Sequence, residues 1–379
     1  MNFEFNEKQK MIIKNARDLA ENYLLPGVIE RDETSTFPMD GYKKLGQLGF
    51  IGLPYSSEYG GSDAGYLEYV LAVEEIAKVD ASLAIAYSVA TSLYGGPIAD
   101  YGTEEQKKKY LPPVLSGDSL GAFNLTEPNA GSDAAGVITR AEKKGDHYLL
   151  NGLKCFSTNG PLADYFFVVA STDPEQKTRG LSGFIVEKSF PGVTIGKVDN
   201  KMGIRSAQVS EVIFNDVMVP EENLILEEGK GFFLAMKALD GGRMGVAAQA
   251  LGIAEGAYEL ARKYLMEREQ FGKPLYRNQY LSFKMAELNI KIEQAKLLLY
   301  KAACDKDAGR SYTTSAAKAK YACTNLAMEV TTEAVQMHGG NGYMREYHVE
   351  RMMRDAKITQ IYEGTNEIQK LIVSGGLFR

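Results

Sequence analysis

The periodicity of the chain changes twice, and this change constrains the fold more than any other feature. Over residues 6–116 apolar side chains recur at helical spacing, and Thr103 followed by Gln106 predicts a capping box at a helix start. After Gly117 the segments become short and aromatic or β-branched, and Gly, Pro, Asn or Asp turns separate them. From Gly231 onward long helical patterns return.

These changes predict three domains in an α+β multidomain protein. Residues 1–118 form an N-terminal α-helical domain, residues 119–228 a middle antiparallel β domain, and residues 229–379 a C-terminal helical bundle. About seven strands are expected, in LGAFNLT, HYLLNG, KCFST, DYFFVVAS, SGFIVE, GVTIG and AQVSEVIFNDVMV. A stripe of small residues that includes Gly252 and Gly256 predicts close helix packing in the third domain.

Charge and composition exclude several classes of protein. The net charge of −6, from 43 basic and 49 acidic residues, gives no general attraction to nucleic acid or to an anionic membrane. The longest apolar stretches are too short to span a bilayer, and the first residues lack a signal-peptide pattern, so we expect a cytoplasmic protein without stable membrane insertion. Cys155, Cys304 and Cys323 are odd in number and widely spaced, so we predict neither a disulfide framework nor a metal site.

Two common nucleotide motifs are absent from the sequence. It contains neither GxGxxG nor GxxxxGK[ST], so any nucleotide-like cofactor must be held in another way. The string GDSLG at 117–121 matches the nucleophile pattern of serine hydrolases, which requires a strand that leads into a helix. Here a proline-stopped helix leads into a strand, and this context argues against a hydrolase.

The stretch TQIYEGTNEIQKLI places an acidic residue at the entrance to a helix. Asn366 followed by Gln369 predicts a helix start, which leaves Glu363 in the preceding turn between Tyr362 and Gly364. The glycine indicates special backbone angles or the close approach of another group. The Glu363 carboxylate could face a cavity, and the alternative is a solvated turn glutamate, since charged residues are seldom buried unpaired.

Two loops of the middle domain, FNLTEPNAGSDAAG and KCFSTNG, join strand residues to turns rich in hydroxyls and backbone donors. This combination suits a flat polar ring that lies along a sheet edge. Thr126, Ser132 and Thr158 could hydrogen-bond such a ring, and Phe156 could lie against its face. Thr126 and Ser132 could alternatively cap turns only.

Three motifs of the third domain add anion-binding groups. LDGGRMG places Asp240 and Arg243 on one helical face, and its adjacent glycines favour close approach of a ligand, although a simple ion pair remains an alternative. EREQFGKPL brings Arg268 to a helix end, where it could bind a pyrophosphate beside the glycines of QMHGGNGY. That glycine motif alone is mainly a helix-stop signal. Together these motifs predict a large cofactor with an aromatic ring and a phosphate.

In combination, LTEPNAGSD, ERxQFGKPL, QMHGGNGY and RDAKITQIYEGTNEIQ resemble the acyl-CoA dehydrogenase family, most closely its short-chain, butyryl-CoA-type bacterial members. The resemblance covers essentially the whole chain. It implies a middle β-barrel, a C-terminal four-helix bundle and a homotetramer with one FAD per subunit. It also implies α,β-dehydrogenation of a short-chain acyl-CoA to the trans-2-enoyl-CoA, with electrons passed to an electron-transfer flavoprotein.

The resemblance also implies roles for individual residues. Glu363 would be the catalytic base. FAD would be held by Phe123, Leu125, Thr126, Phe156, Ser157, Thr158, Arg268, Gln270, Phe271, Gln336, Gly339, Gly340, Thr365 and Glu367. Those that would meet its pyrophosphate and adenosine across a subunit interface are Arg268, Phe271, Gln336 and Gly340. Acyl-CoA would be contacted by Ser132, Asp240, Arg243, Tyr362 and Gly364.

Some positions depart from patterns common in the family. Cys155 and Phe156 stand where many relatives have an aliphatic residue and Trp, so flavin shielding and electron exit can differ. Gly242 stands where some relatives carry their base, which favours Glu363. Ala84 stands where glutaryl-CoA relatives carry an arginine, so a dicarboxylic substrate is not expected. The alternatives are an acyl-CoA oxidase and, in another class, a flavin-stabilised relative that binds nucleic acid.

Overall fold

The structure, a computed structural model, describes residues 4–378 and has the three parts that the sequence predicts, in the predicted order. The helices of the first part are α1 Glu7–Leu19, α2 Val28–Thr34, α3 Met39–Gln47, α4 Tyr66–Ala77, α5 Ala81–Ser88, α6 Gly96–Tyr101, α7 Glu104–Tyr110 and α8 Pro112–Leu115. Two π-helical segments, Ala20–Leu24 and Val89–Gly95, continue α1 and α5. The predicted capping box is confirmed at α7, where Thr103 and Gln106 exchange side-chain and backbone hydrogen bonds.

The middle part is one mixed sheet. Its strands are β1 Gly121–Asn124, β2 Arg140–Lys144, β3 His147–Thr158, β4 Tyr165–Ser171, β5 Leu181–Glu187, β6 Val193–Val198, β7 Val209–Pro220 and β8 Leu224–Ile225. They follow the order β6-β7-β3-β2-β4-β5-β8, with β1 beside β4, so the sheet does not close into a barrel. The prediction of a wholly antiparallel domain is wrong at β1 and β2, which pair with β4 in parallel. Parallel pairing is possible because the long β2–β3 segment separates β1 from β4 along the chain.

Strand β3 corrects a second prediction. HYLLNG and KCFST were expected as two strands, but they form one strand whose register against β7 shifts between Leu150 and Gly152. At the shift, Asn151 Nδ2 donates to Asp216 Oδ1 at 2.9 Å, and the Asp216 amide donates to Asn151 Oδ1 at 2.8 Å. The extra residue of the resulting β-bulge is in β7, where Asn215 and Asp216 lie opposite Asn151, and the Asn-Gly pair continues β3 where the sequence indicates a turn.

The third part is helical and begins with a long central helix. Its elements are α9 Gly231–Glu267, the hairpin β9 Glu269–Gln270 and β10 Lys273–Pro274, α10 Gln279–Asp307, α11 Thr313–His338, α12 Val349–Thr359 and α13 Asn366–Leu377. The close packing predicted from the small-residue stripe is confirmed. A Cβ at Gly252 would lie 2.2 Å from the Glu74 carbonyl oxygen, and one at Gly256 would lie 2.3 Å from that of Lys78. The backbone of α9 therefore rests directly on the C-terminal end of α4.

Buried apolar side chains of all three parts form one continuous core. Helix α9 connects these parts, since it packs against α4 and α5 of the first part, β5 of the middle part, and α10, α11 and α12 of the third. Among residues 4–378, no helix is both long and apolar enough to cross a membrane.

Candidate active site

A cavity of about 750 Å³ lies where the three parts meet. Strands β1 and β3, with the loops that follow them, form one wall; α9 and the turn between α12 and α13 form the opposite one. The predicted site residues that line it are Phe123, Leu125, Thr126, Ser132, Phe156, Thr158, Arg243, Tyr362, Glu363, Gly364 and Thr365. Residues that are more than 200 positions apart in the sequence are thus brought together in one site.

The turn that carries Glu363 has an unusual backbone. Glu363 has φ 52° and Gly364 has φ 88°, so that two successive residues occupy the left-handed region. This conformation is uncommon for a residue other than glycine and costs of order 1 kcal/mol or more. Helix α13 is capped by Thr365, whose side chain accepts from the Ile368 amide. The helix start predicted at Asn366 is therefore confirmed, with Thr365 as its cap, and the Gln369 side-chain amide donates to the Gly364 carbonyl oxygen at 2.8 Å.

The Glu363 carboxylate extends from this turn into the cavity. Its Oε2 is buried and has no hydrogen-bond partner among residues 4–378. Burial raises the pKa of Glu363 to about 8, against the opposing influence of Lys320 and Arg243, whose positive charges lower it. A solvated turn glutamate, the alternative considered from the sequence, does not describe this environment.

The adjacent glycines of α9 make room for this carboxylate. A Cβ added to Gly242 would lie 1.9 Å from Glu363 Oε2 and 2.7 Å from Leu93 Cδ2. The sequence prediction that a ligand approaches these glycines is therefore wrong at Gly242, where the approaching group is a side chain of the protein. Gly242 and Glu363 are far apart in the sequence, so the periodicity of the helix cannot predict their contact.

Tyr362 connects the turn to the N-terminal helices. Its hydroxyl donates to Gln249 Oε1 on α9, and Gln249 Nε2 donates to the Ala81 carbonyl oxygen at 2.8 Å. Because Gln249 is fully buried, this chain of hydrogen bonds is shielded from water. The turn is consequently fixed to α9 and, through it, to the start of α5.

The opposite wall is built on a buried ion pair. Lys154 Nζ donates to Glu127 Oε1 at 2.7 Å and to the Leu125 carbonyl oxygen at 3.0 Å, and the Cys155 amide donates to the Thr126 carbonyl oxygen at 2.8 Å. These bonds hold the segment after β1 against β3. Sequence reasoning missed Lys154 and Glu127, although both lie inside the two quoted loop motifs.

Two aromatic residues of this wall differ in exposure. Phe123 stacks on Phe167 with ring centroids 5.6 Å apart, whereas the Phe156 side chain is 69% exposed and its φ is 55°. Ser157, next to Phe156, is fully buried and its hydroxyl donates to Asn124 Oδ1, so it faces away from the cavity. Its predicted cofactor contact is not visible in this geometry and stays a prediction.

A second cavity, of about 420 Å³, lies at the junction of α9, the β9–β10 hairpin, α10 and the end of α11. It gathers the predicted phosphate-binding residues Arg268, Gln270, Gln336, Gly339 and Gly340. Cβ atoms added to either of these two glycines would meet no atom within 4 Å, so their backbone is open to an incoming group.

Some predicted residues line neither cavity. Phe271 is 97% exposed beside the second cavity, and Glu367 is exposed on α13. Asp240 is buried behind Arg243, with which it forms an ion pair, and its Oδ2 accepts from Thr313 Oγ1 at 2.6 Å. The Asp–Arg pair is therefore buried and faces the cavity only through Arg243.

Sequence reasoning also missed Lys320, which is fully buried on α11 behind the Glu363 turn. A signal was present in the sequence. Lys320 occupies a position of the apolar face that Ala316, Cys323 and Ala327 otherwise define, and a charged residue in such a stripe indicates a buried partner.

Three family models match successive parts of the chain. The model described as acyl-CoA dehydrogenase, N-terminal domain, matches residues 6–118; the middle-domain model matches residues 122–217; the C-terminal-domain model matches residues 229–378.

Individual relatives match over the full length. A short-chain specific acyl-CoA dehydrogenase of Clostridium acetobutylicum is 52% identical, with 100% of both chains covered. The solved structure of butyryl-CoA dehydrogenase from Megasphaera elsdenii gives a TM-score of 0.98 at 50% identity, again over 100% of both chains. A chain in the solved structure described as electron transferring flavoprotein of Acidaminococcus fermentans gives 0.99 at 50% identity and the same coverage.

Relatives with other names match almost as completely. The Caffeyl-CoA reductase-Etf complex subunit CarC of Acetobacterium woodii is 44% identical over 99% of both chains. An acryloyl-CoA reductase (NADH) of Anaerotignum propionicum is 46% identical over 99% of this chain and 95% of its own. The FAD complex of PigA gives a TM-score of 0.95 at 30% identity, over 100% of this chain and 99% of its own. With three successive family models and full-length relatives in agreement, this chain belongs to the acyl-CoA dehydrogenase family.

Proposed function

We propose that this enzyme catalyses FAD-dependent α,β-dehydrogenation of a short-chain acyl-CoA thioester to the trans-2-enoyl-CoA. The observation that carries the proposal is the Glu363 carboxylate, whose Oε2 is buried without a hydrogen-bond partner among residues 4–378 and which lines the same cavity as a wall of aromatic and hydroxyl side chains. A proton must leave the α-carbon of the substrate and a hydride must leave its β-carbon. The cavity has space for a substrate between the base and that wall.

The residues present fit FAD. Members of the family are FAD-dependent, and solved relatives include FAD complexes. Thr126 and Thr158 offer hydroxyls at the edge of the β wall, beside the apolar side chains of Phe123 and Leu125, as a flat ring with polar edges requires. The open backbone of the glycine-rich loop and Arg268 in the second cavity suit a pyrophosphate.

The two cavities suggest how the cofactor is shared. We assign the flavin end to Phe123, Leu125, Thr126, Phe156, Ser157, Thr158, Thr365 and Glu367. The pyrophosphate and adenosine end is assigned to Arg268, Gln270, Phe271, Gln336, Gly339 and Gly340 of a neighbouring copy in a homotetramer. The near-complete exposure of Phe271 supports this assignment, since such a side chain is available to another subunit.

In the proposed mechanism Glu363 removes the α-proton of the thioester. Amino-acid side chains accept no hydride, and the bound FAD supplies the acceptor for the β-hydride. The raised pKa of Glu363 makes its carboxylate a stronger base than an ordinary glutamate, while Lys320 and Arg243 keep part of it ionised.

Charge that develops on the thioester oxygen needs hydrogen-bond donors. The backbone amide of Glu363 donates to no group among residues 4–378 and lies in the turn that faces the cavity, so it is free to bind that oxygen. The left-handed backbone at Glu363 and Gly364 directs the amide and the carboxylate of one residue toward the same substrate.

A short acyl group suits the apolar part of the cavity lining. Ile85, Val89 and Leu93 belong to that lining, and Ala84 next to Ile85 is fully buried, so this part of the wall offers no charge to a second carboxylate. For the CoA thioester we propose contacts from Ser132, Asp240, Arg243, Tyr362 and Gly364, with Asp240 acting through the orientation of Arg243.

We further propose that electrons pass to an electron-transfer flavoprotein in the cytoplasm. Two relatives support this partner: the CarC subunit of a reductase-Etf complex, and the chain in the Acidaminococcus fermentans structure. The net charge of −6 still argues against the nucleic-acid-binding alternative.

The reverse reaction is a second candidate function. With a pKa near 8, Glu363 is mostly protonated at neutral pH in the free enzyme and can donate a proton to the α-carbon of an enoyl-CoA. The relatives named as caffeyl-CoA and acryloyl-CoA reductases favour this direction as well.

One anaerobic experiment tests these functions. The purified FAD-bound enzyme is mixed with a panel of acyl-CoA thioesters, and bleaching of the flavin absorbance is followed. We expect the fastest bleaching with short straight-chain substrates, and no bleaching with any member of the panel would overturn the proposal. Subsequent exposure to air distinguishes an oxidase, which forms peroxide rapidly. The reduced enzyme mixed with enoyl-CoA thioesters measures the reverse direction.

A further inference from the structure

A buried lysine lies directly behind the Glu363 turn. Lys320, on α11, has no exposed surface, and its Nζ donates to the Gly364 carbonyl oxygen at 2.9 Å and to Asn366 Oδ1 at 3.1 Å. Burying an ammonium group is unfavourable unless it is paired and hydrogen-bonded. The two oxygens that meet this requirement both belong to the segment that carries the base.

Neighbouring side chains hold the same segment. Thr324, one turn further along α11, donates to the same Asn366 Oδ1 at 3.0 Å, and Asn366 Nδ2 donates to Asn325 Oδ1 at 3.1 Å. The Gly364 carbonyl oxygen also accepts from Gln369 Nε2 at 2.8 Å. One face of α11 thus fixes the strained turn on the side away from the cavity, and Lys320 is the only cation among these donors.

The charge of Lys320 and the charge of Glu363 act on each other. Burial lowers the pKa of Lys320 to about 7, while Glu363 and Glu367 raise it and Arg243 lowers it. Lys320 and Arg243 in turn both lower the pKa of Glu363. Tyr362 and Tyr69 are the other titratable groups that sense the Glu363 charge, and both are neutral phenols at physiological pH.

We propose that Lys320 is a positioning residue for the reaction proposed above: its hydrogen bonds hold the Glu363–Gly364 turn so that the carboxylate faces the cavity, and its positive charge favours the ionised base. This inference rests on the proposed function. A lysine that only stabilises the fold would affect folding and cofactor retention, but it would not alter the pH at which the base titrates.

The test compares Lys320→Met and Lys320→Gln with Lys318→Met. Lys318 lies two residues earlier on the same helix and is exposed, so its substitution removes a charge without touching the turn. In FAD-bound Lys320→Met we expect kcat to fall about tenfold or more with KM within about twofold, because orientation is lost while substrate contacts remain. The acidic limb of the pH–kcat profile should move upward by less than about one pH unit, because Lys320, with a pKa of about 7, is only partly charged where Glu363 titrates.

Lys320→Gln separates the two contributions. Its amide can still donate to the turn, so part of the kcat loss should be restored, while the shift of the acidic limb should persist because the charge is gone. A readout without turnover is the pH dependence of binding an acyl-CoA analogue that cannot be oxidised, followed by the flavin spectrum, which should shift in the same direction.

Wild-type kcat and pH profile in both Lys320 variants would overturn the inference. A failure to recover either variant as FAD-bound protein would also count against it, because the lysine would then serve the fold. Absence of flavin bleaching in the wild-type enzyme would instead overturn the proposed function, so the two failures are distinguishable. Lys318→Met should match the wild type throughout.

Discussion

At the scale of single residues, the site concentrates unfavourable features on Glu363. One oxygen of its carboxyl group is buried without a hydrogen-bond partner in the described part of the chain, and its backbone occupies a region that residues other than glycine rarely adopt. Each feature costs of order 1 kcal/mol or more, and the hydrogen bonds around the turn compensate for them. Such a combination is expected where a group must react with a substrate instead of with its neighbours.

Replacement of Glu363 by Gln removes the base and keeps the shape of the side chain. We expect Glu363→Gln to retain FAD and to bind acyl-CoA, while kcat falls by roughly 10² to 10⁴, the range typical of a lost general base. Flavin absorbance and acyl-CoA titration measure retention and binding, and stopped-flow bleaching measures turnover. Full dehydrogenase activity in this variant would remove Glu363 from its role.

The same variant tests the raised pKa through stability. An ordinary glutamate has a pKa of about 4.3, and burial raises that of Glu363 to about 8. The folded state binds the proton of Glu363 more tightly than the unfolded state does, so protonation stabilises the fold. This contribution to the free energy of unfolding is complete below about pH 4.3 and is lost as the pH rises through about 8.

Between about pH 5 and about pH 9 the wild type should therefore lose up to about 4 kcal/mol of unfolding free energy relative to Glu363→Gln. Thermal unfolding of both proteins across this range measures the difference. Glu346→Gln is the control, since this carboxyl is exposed and lines neither cavity. Parallel curves for the wild type and Glu363→Gln would contradict a raised pKa.

The contact between Gly242 and the base predicts a sharp difference between two adjacent glycines. Gly242→Ala should displace the carboxylate, because the new Cβ would lie 1.9 Å from Glu363 Oε2, and kcat should fall about tenfold or more. Gly241→Ala is the matched control, since the nearest atom to its Cβ would be the Tyr66 hydroxyl at 3.1 Å. Stopped-flow bleaching and FAD content should be measured for both; equal activity would show that the carboxylate can move aside.

At the scale of secondary-structure elements, local patterns predicted more than long-range contacts. The change of periodicity located the three parts, and the cap at Thr103 and the small-residue stripe of α9 are local features that the structure retains. The parallel pairing of β1 with β4 depends on which strands meet, and the continuation of β3 through Asn151 depends on the bulge of β7 opposite it. Neither property is encoded within one segment.

The same distinction applies to the site. Motifs identified eleven of the residues that line the large cavity and five of those that line the smaller one, because each motif is a continuous string. The contact of Gly242 with Glu363 and the hydrogen bond of Lys320 to Gly364 join residues that are far apart in the sequence. Such contacts are visible only once α9, α11 and the turn before α13 are packed together.

The packing of α9 on α4 supplies a prediction at this scale. Gly252→Ala places a Cβ 2.2 Å from the Glu74 carbonyl oxygen, so it should destabilise the protein by about 1–3 kcal/mol although alanine is the better helix former. Gly375→Ala in α13 is the control, because its Cβ would meet no atom within 4 Å and should leave the melting temperature unchanged or raised. Thermal unfolding at one protein concentration distinguishes them, and an unchanged Tm for Gly252→Ala would mean that the helices separate easily.

At the scale of the whole molecule, the two cavities require one explanation. The large cavity holds the base and the proposed flavin wall, whereas the smaller one holds Arg268 and the glycine-rich loop. If the cofactor bridges copies of the chain, each complete site takes its base from one subunit and its arginine from another. Loss of Glu363 would then impair the site of its own subunit, whereas loss of Arg268 would impair the site of a neighbouring subunit.

Arg268→Ala should lower the ratio of bound FAD to protein, since a bidentate contact to the pyrophosphate is lost. Arg262→Ala is the control, because this exposed arginine of the same helix pairs with Glu259 at 2.8 Å, away from the cavity. The ratio of flavin to protein absorbance measures the effect. Unchanged FAD content in Arg268→Ala would exclude the arginine from the cofactor site.

Co-assembly of two inactive variants extends this prediction to the sharing of sites. A mixed tetramer of Arg268→Ala and Glu363→Gln chains contains some sites in which an intact Glu363 meets an intact Arg268 from the other variant, so FAD-dependent turnover should return. If Arg268 served the site of its own subunit, every site would lack one of the two groups and the mixture would stay inactive. Activity of co-expressed, doubly tagged tetramers therefore decides whether a site belongs to one chain or to a pair.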